Sequence, residues 1–138
     1  MNVRNNYFGH GHRSAVDIVT PDGRVNRSNF QFAGNVSRVA QNTGNCRRGG
    51  SMTMRIIGVS SLVVRSNTQP MQAQTHNSCQ YLVDGTRISG AITSNALRNA
   101  WKVGDYDAAS RVCEANNRIG PQNPPRQTAP RSRGTTRC

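Results

Sequence analysis

The clearest pattern near the start of the chain is a pair of extended runs joined by a turn. Residues 15–32 read AVDIVT, then PDGR, then VNRSNFQF, and the proline, aspartate and glycine between the runs favour a tight turn. Side chains alternate along a strand, so Val16 and Ile18 should face one side, and Phe30 and Phe32 should likewise share a side. This pattern predicts an antiparallel β-hairpin.

The most apolar segment follows a polar loop that contains Arg47 and Arg48. Residues 52–65, MTMRIIGVSSLVVR, are rich in branched side chains and should supply most of the core of a sheet. Gly58 indicates either a bulge or bend in one long strand or a break between two strands. Further on, the Asp84-Gly85 pair lies between two short apolar runs and predicts a second hairpin.

From Thr93 the spacing of apolar residues changes to the period of a helix. Thr93 or Ser94 can cap a helix whose apolar face would consist of Ala96, Leu97, Ala100 and Trp101. Gly104 would end this helix, and Asp105 would cap a second one with a face made of Tyr106, Ala109, Val112, Cys113 and Asn116. Strands first and helices last predict an α+β fold, an antiparallel sheet of hairpins followed by a short C-terminal helical hairpin.

Composition divides the chain into three parts. Residues 1–13 are polar and predict an N-terminal arm, and residues 14–120 predict a single α+β domain. Residues 121–138 are rich in proline and arginine and contain no acid, which favours a basic extended tail that gains order on a partner. A chain of 138 residues can bury a modest core without a metal or a disulfide, so we expect free thiols.

The charge balance indicates the class of partner. Eighteen basic residues against six acidic ones give a formal net charge of +12, and such a field attracts polyanions. All the basic residues except Lys102 are arginines, whose planar guanidinium groups bind phosphate through two bonds at a time and stack on bases. Either this function or an arginine-rich codon usage explains the bias.

Arginine, asparagine and aromatic residues together are typical of RNA-binding or single-strand-binding proteins. Tyr7, Phe8, Phe30 and Phe32 lie among the arginines of the first part of the chain. We therefore predict a nucleic-acid partner. The candidate contact residues are Arg4, Arg13, Arg24, Arg27, Arg47, Arg48, Arg126, Arg131, Arg133 and Arg137.

One histidine pair is the main enzyme-like feature of the sequence. His10 and His12 could act as acid and base in RNA cleavage, but residues two apart on an extended chain point to opposite faces. No phosphate-binding loop, nucleophile elbow or cysteine-histidine signature is present in the sequence, which has a single glutamate, Glu114. We therefore expect a protein that is not an enzyme and that has no catalytic residues and no cofactor.

A zinc site could be assembled from Cys46, His76, Cys79 and Cys113. Structural zinc sites are usually formed by two close pairs of ligands, and here only His76 and Cys79 form such a pair. Cys113 fits better as a small apolar residue on the second helix, and Cys138 as an exposed thiol in the tail. We therefore predict no metal site.

These observations lead to three functional hypotheses. The first is a small basic structural or assembly protein, resembling viral or phage virion proteins only in its general build, that contacts nucleic acid or neighbouring subunits and associates through residues 52–64 and the helical hairpin. The second is a non-assembling RNA- or DNA-binding module, and the third is a small ribonuclease or toxin that uses His10 and His12.

No apolar run is long enough to span a bilayer and no secretory signal is evident. We therefore expect no membrane partner. We also expect a cytoplasmic or host-cell interior location, or the virion if the protein is viral.

Overall fold

The structure, a computed structural model, describes residues 1–8, 16–20, 29–37, 52–69, 81–97, 100, 102–119 and 135–138, without the side chains of residues 52 and 135–137. These residues contain fifteen short strands. They are β1 (Asn2–Arg4), β2 (Tyr7–Phe8), β3 (Val16–Val19), β4 (Gln31–Ala33), β5 (Val36–Ser37), β6 (Met52–Ile57), β7 (Leu62–Arg65), β8 (Thr68–Gln69), β9 (Tyr81–Thr86), β10 (Ser89–Thr93), β11 (Ala96–Leu97), β12 (Gly104–Tyr106), β13 (Arg111–Ala115), β14 (Arg118–Ile119) and β15 (Thr135–Arg137).

The strands form three sheets in which all the described neighbours are parallel. Sheet A has the order β1-β4-β7-β10-β13-β15, sheet B has the order β2-β5-β8-β11-β14, and sheet C has the order β3-β6-β9-β12. The chain therefore passes through sheets A, B and C in turn and then returns to A, so each of coils 1 to 4 adds one strand to every sheet. Coil 1 consists of β1, β2 and β3, coil 2 begins at β4, and coil 5 consists of β13 and β14. This architecture is a parallel β-helix.

The α+β prediction is wrong, because the described residues contain no helix and the sheets are parallel. The expected hairpin over residues 15–32 does not form: Val16–Val19 lies in sheet C beside β6, whereas Gln31–Ala33 lies in sheet A beside β1 and β7. Asp84 and Gly85 do not form a turn either, since both lie within β9. In the described part of the chain, no helix is long and apolar enough to cross a membrane.

The helical hairpin expected after Thr93 is replaced by β10 to β14. The apolar spacing that suggested a helix arises at the corners of the coil. Leu97 faces the interior from a two-residue strand, and Ala100 is also buried after the chain has turned, so inward positions recur at three residues without a helix. Short strands separated by corners therefore imitate helical periodicity.

The core lies between the three sheets. The side chains of Met54, Ile56, Leu62 and Val64 are fully buried, so residues 52–65 contribute to the core. They do not supply most of it as predicted, because the majority of the buried apolar residues in the described part lie outside this segment. The break at Gly58 is the second of the two alternatives, because β6 ends at Ile57 and Gly58 adopts a positive φ of 73°. Since β6 and β7 have partners on both edges, neither strand offers a free edge to a second copy.

The corner between sheets A and B has the same form in five successive coils. A residue with positive φ, which is Asn5, Gly34, Ser66, Ser94 or Asn116, is followed each time by an asparagine. These asparagines, which we call the asparagine ladder, are Asn6, Asn35, Asn67, Asn95 and Asn117. The backbone N–H of each ladder asparagine in coils 1 to 4 donates to the Oδ1 of the ladder asparagine in the next coil, at 2.9 to 3.1 Å.

The side-chain amides of the ladder connect three coils at once. The Nδ2 of Asn67 donates to Asn95 Oδ1 at 2.9 Å in the next coil and to the carbonyl oxygen of Phe32 at 3.1 Å in the preceding one. Asn35 and Asn95 make the same two kinds of bond. Asn35, Asn67 and Asn95 are all nearly inaccessible to solvent, so their polar groups need partners within the protein. The stacked amides supply these hydrogen bonds to one another.

A disulfide fixes the last strand of sheet A. Cys113 in β13 is bonded to Cys138, which directly follows β15, and their Cα atoms lie 4.9 Å apart. The predictions of a helical Cys113 and of a free thiol at Cys138 are therefore wrong, although Cys138 is exposed as predicted. The pairing was not visible in the sequence, because it depends on β15 lying beside β13.

Candidate binding surfaces

The outward faces of sheets A and B are basic. Arg4, Arg65 and Arg111 in sheet A and Arg118 in sheet B are exposed. The only acid in the described strands of these two sheets is Glu114, and its Oε1 accepts a hydrogen bond from the buried Tyr106 hydroxyl at 2.7 Å. In the described residues of sheets A and B, therefore, no carboxylate lies among the exposed arginines.

The first coil adds an aromatic ring to this surface. Tyr7 is 62 % exposed, whereas its neighbour Phe8 turns towards the core and stacks on Phe32 with ring centroids 5.6 Å apart. Arg4 lies on the other side of the same A–B corner, and its guanidinium donates to Gln31 Oε1. A cation and an aromatic ring are thus both available on coil 1.

Sheet C carries a different surface, a row of ionisable residues at matching positions of four coils. Asp17, Arg55, Asp84 and Asp105 are paired in register on β3, β6, β9 and β12. Arg55 Nη2 lies 3.2 Å from Asp17 Oδ2, and both side chains are about half exposed. The row therefore holds three of the six acids of the chain on one face of the β-helix.

Lys102 connects this row to an aromatic side chain. Its Nζ lies 2.7 Å from Asp105 Oδ2 and 4.9 Å from the centre of the Tyr81 ring. Burial raises the pKa of Asp84, and the neighbouring Asp105 raises it further, while Arg55 and Lys102 oppose the shift. Burial, followed by Asp84 and Asp105, raises the pKa of Tyr81, so this phenol stays protonated at neutral pH.

The chemistry available on sheet C is mostly internal ion pairing. Asp17 and Asp105 each have a cationic partner, and Asp84 lies between Arg55 and Asp105 in the row. In the described ranges, no group of three or more His, Cys, Asp or Glu side chains could hold a metal ion. The row thus differs from the faces of sheets A and B, where the arginines are not matched by acids.

Two of the ten predicted nucleic-acid-binding residues lie within the described part. Arg4 is on the outer face of β1, and Arg137 is in β15, where its backbone pairs with Glu114. The other eight fall outside the described residues: Arg13, Arg24, Arg27, Arg47, Arg48, Arg126, Arg131 and Arg133. Arg65, Arg111 and Arg118 were not among the predicted contacts, because these residues come together only when β7, β13 and β14 form the coils.

The other candidate sites are only partly described. His10 and His12 lie outside the described residues, as do Cys46, His76 and Cys79 of the suggested zinc set. The fourth member of that set, Cys113, is held in the disulfide with Cys138 and is not available as a thiolate ligand.

No family model, curated protein or solved structure matches this chain.

Proposed function

We propose that this chain is a structural binding protein whose outer faces of sheets A and B contact nucleic acid. The observation that supports this proposal is the separation of charge between faces. The exposed arginines of sheets A and B have no acid among them in the described strands, whereas most of the described acids lie on or near sheet C. An unmatched cationic surface on a chain of net charge +12 favours a polyanion.

Two features favour nucleic acid over an acidic polysaccharide. Arginine binds phosphate through a planar pair of donors, and it stacks on bases as lysine does not. Tyr7 is exposed in coil 1 across the A–B corner from Arg4, so this coil offers both a stacking ring and a phosphate-binding group. The parallel coils repeat at the spacing of neighbouring strands, which gives an extended polymer a track along the axis of the β-helix.

The test is the salt dependence of single-stranded RNA binding, measured by fluorescence anisotropy with the nuclease-treated protein. The affinity K for RNA falls with salt concentration, so the slope of log K against log salt concentration is negative. The triple variant Arg4→Gln, Arg65→Gln, Arg118→Gln should reduce the magnitude of this slope by about 2, since each phosphate contact on a single strand contributes about 0.7. These three side chains are exposed, so the substitutions should leave the fold intact, which circular dichroism checks.

Arg55→Gln is the matched control. It removes the same charge per site, but Arg55 lies on sheet C beside Asp17 and should hardly change the slope. If the single variants Arg55→Gln and Arg65→Gln change the slope equally, binding responds only to net charge and the proposed surface is wrong. Tighter binding to a sulfated polysaccharide than to RNA at the same salt concentration would instead identify an acidic glycan as the partner.

The predicted tail contacts need a separate variant. Replacement of Arg126, Arg131 and Arg133 by glutamine should further reduce the magnitude of the salt-dependence slope if the tail lies on the RNA. An unchanged slope would remove the tail from the proposed interface and leave sheets A and B in it.

A further inference from the structure

The asparagine ladder has a direction. Every ladder asparagine in coils 1 to 4 donates towards the next coil, so Asn6 Oδ1 is the acceptor at the coil 1 end. At the other end, Asn117 Oδ1 accepts from Asn95, and its Nδ2 donates back to the carbonyl oxygen of Ile92. The backbone N–H of Asn117 and the second Nδ2 hydrogen therefore face the position that a further coil would occupy. The two ends of the ladder are complementary.

Apolar exposure is concentrated at the same two ends. In the described residues, the exposed large apolar side chains are Met1, Tyr7 and Val19 in coil 1 and Ile119 in the last strand of sheet B. The strands β1, β2 and β3 each have a described partner on one edge only. If β2 of one copy paired with β14 of another in the register used throughout sheet B, Phe8 would lie beside Ile119. Each end therefore carries apolar surface that the other could cover.

One strand occupies the place where such a pairing would begin. Within sheet A, coils pair in a constant register, so Asn6 of a second copy would meet Asn117 only if its β1 lay along β13. That edge of β13 is covered by β15, which pairs Val112 with Thr135 and Glu114 with Arg137. β15 has only three residues, and the Cys113–Cys138 disulfide ties it to the strand that it covers.

We propose that β15 is a disulfide-held cap and that its release lets β1 of a second copy pair with β13, so that copies join head to tail. The release is a reduction. A thiol reductant, such as a dithiol, supplies two electrons and two protons, the Cys113–Cys138 bond is cleaved to two thiols, and the reductant becomes a disulfide. Without the cross-link, a three-residue strand must compete with the β1, β2 and ladder contacts of the incoming copy. A contact of this kind joins unlike ends and forms open filaments.

Analytical ultracentrifugation of nuclease-treated protein at high salt tests the proposal without nucleic acid, so its result does not depend on the proposed function. The oxidised chain should sediment as one small species. The variant Cys113→Ser, Cys138→Ser cannot form the cross-link or any intermolecular disulfide through these positions, and it should form oligomers that grow with concentration. Adding Thr136→Pro, which places a residue without an N–H in β15, should increase the oligomers further.

The matched pair Arg4→Pro and Arg4→Ala tests the docking strand. The Met1 carbonyl oxygen accepts from the Gln31 N–H, and the Asn5 N–H donates to the Ala33 carbonyl oxygen, so the backbone groups of these two residues face β4. Backbone groups alternate in direction along a strand, so the Arg4 N–H faces the open edge. When added to the variant Cys113→Ser, Cys138→Ser, which lacks the cross-link of the cap, Arg4→Pro should abolish the oligomers, whereas Arg4→Ala should retain them. Equal assembly of the Arg4→Pro and Arg4→Ala variants would overturn the proposal. It would also be overturned if the variant Cys113→Ser, Cys138→Ser remained a small species, or if the oxidised chain formed oligomers as readily as that variant.

Discussion

The A–B corner and the C–A corner turn the same chain through the same β-helix by different means. At the A–B corner, five coils use one two-residue form, a positive-φ residue and an asparagine. At the C–A corner, residues 58–61, 87–88 and 107–110 differ in length and sequence from coil to coil. A repeated corner can be stabilised by the same contact between every pair of coils, whereas corners that differ must each be stabilised by hydrogen bonds of their own residues.

The last C–A corner, residues 107–110, is stabilised by a short network of hydrogen-bonded polar groups. Asp107 Oδ1 accepts from the Arg87 N–H at 3.0 Å and from the Ser110 hydroxyl. The Ser110 hydroxyl in turn accepts from the Ile88 N–H at 3.1 Å. This network joins the corner at residues 107–110 to the corner at residues 87–88. The effect of a substitution should therefore spread along the A–B corner and remain local at the C–A corner.

The largest expected effect comes from the centre of the ladder. Asn67→Ala removes the acceptor of the Asn35 N–H and Nδ2 groups and the donors to Asn95 and Phe32, and all of these groups are buried. Because a buried polar group left without a partner costs about 1 to 3 kcal/mol, we expect a loss of about 4 kcal/mol in the free energy of unfolding. Urea denaturation measures this loss.

Asn6→Ala is the control for the ladder, since Asn6 is exposed and has a ladder neighbour on one side only. It should cost about 1 kcal/mol. Equal losses for the Asn6 and Asn67 variants would show that the coils do not depend on one another through the ladder.

A smaller effect should come from the positive-φ position, with opposite signs at two coils. Gly34 has a φ of 66°, and a Cβ there would lie 2.5 Å from Asn5 Oδ1, so Gly34→Ala should cost about 2 kcal/mol. Ser66 has a φ of 55° in the next coil and is exposed, so Ser66→Gly should gain about 0.5 to 1 kcal/mol by relieving the same strain. Thermal unfolding of both variants checks the signs, and a destabilised Ser66→Gly variant would contradict this account of the corner.

The smallest effect should be a pH dependence confined to the C–A corner. Burial acts to raise the pKa of Asp107, but hydrogen bonds from Ser110 and from the Arg87 amide outweigh it and lower this pKa. The stabilisation by Asp107 is therefore present above the pKa of an unfolded aspartate, about 3.9, and is lost as the pH falls through the lower folded value. The difference in urea midpoint between the chain and Asp107→Asn should accordingly shrink on acidification.

Asp84→Asn is the control of opposite sign. The pKa of Asp84 is raised, mainly by burial, so its charged form destabilises the fold at neutral pH. The variant should be slightly more stable than the chain at neutral pH, and this gain should disappear in acid. A parallel loss in both variants would mean that neither carboxylate acts as described.

The sequence was sufficient to locate the core but not the way in which it is assembled. Val16, Ile18, Phe30 and Phe32 face inward as their alternation predicts, and the apolar segment contributes buried side chains such as Met54 and Ile56. Alternation within one strand does not specify the partner of that strand, however. A turn signal such as PDGR therefore suggested a hairpin where the chain passes from sheet C to sheet A in the next coil.

The repeat that defines the fold was present in the sequence as five pairs of residues ending in asparagine. The ladder asparagines are separated by 29, 32, 28 and 22 residues, and this variation hides the period. The acidic row on sheet C was hidden for the same reason, because Asp17, Asp84 and Asp105 become neighbours only when β3, β9 and β12 lie in one sheet. Candidate contact residues chosen by arginine density alone could not include Arg65 or Arg118.

The uniform direction of the asparagine ladder also makes the β-helix electrically asymmetric along its axis. Each side-chain amide is a small dipole, and each amide of Asn6, Asn35, Asn67 and Asn95 directs one N–H towards the next coil, on the coil 5 side. Aligned dipoles add, as peptide dipoles do in an α-helix. An ion that approaches the coil 1 end therefore meets partial negative charge, and one at the coil 5 end meets partial positive charge.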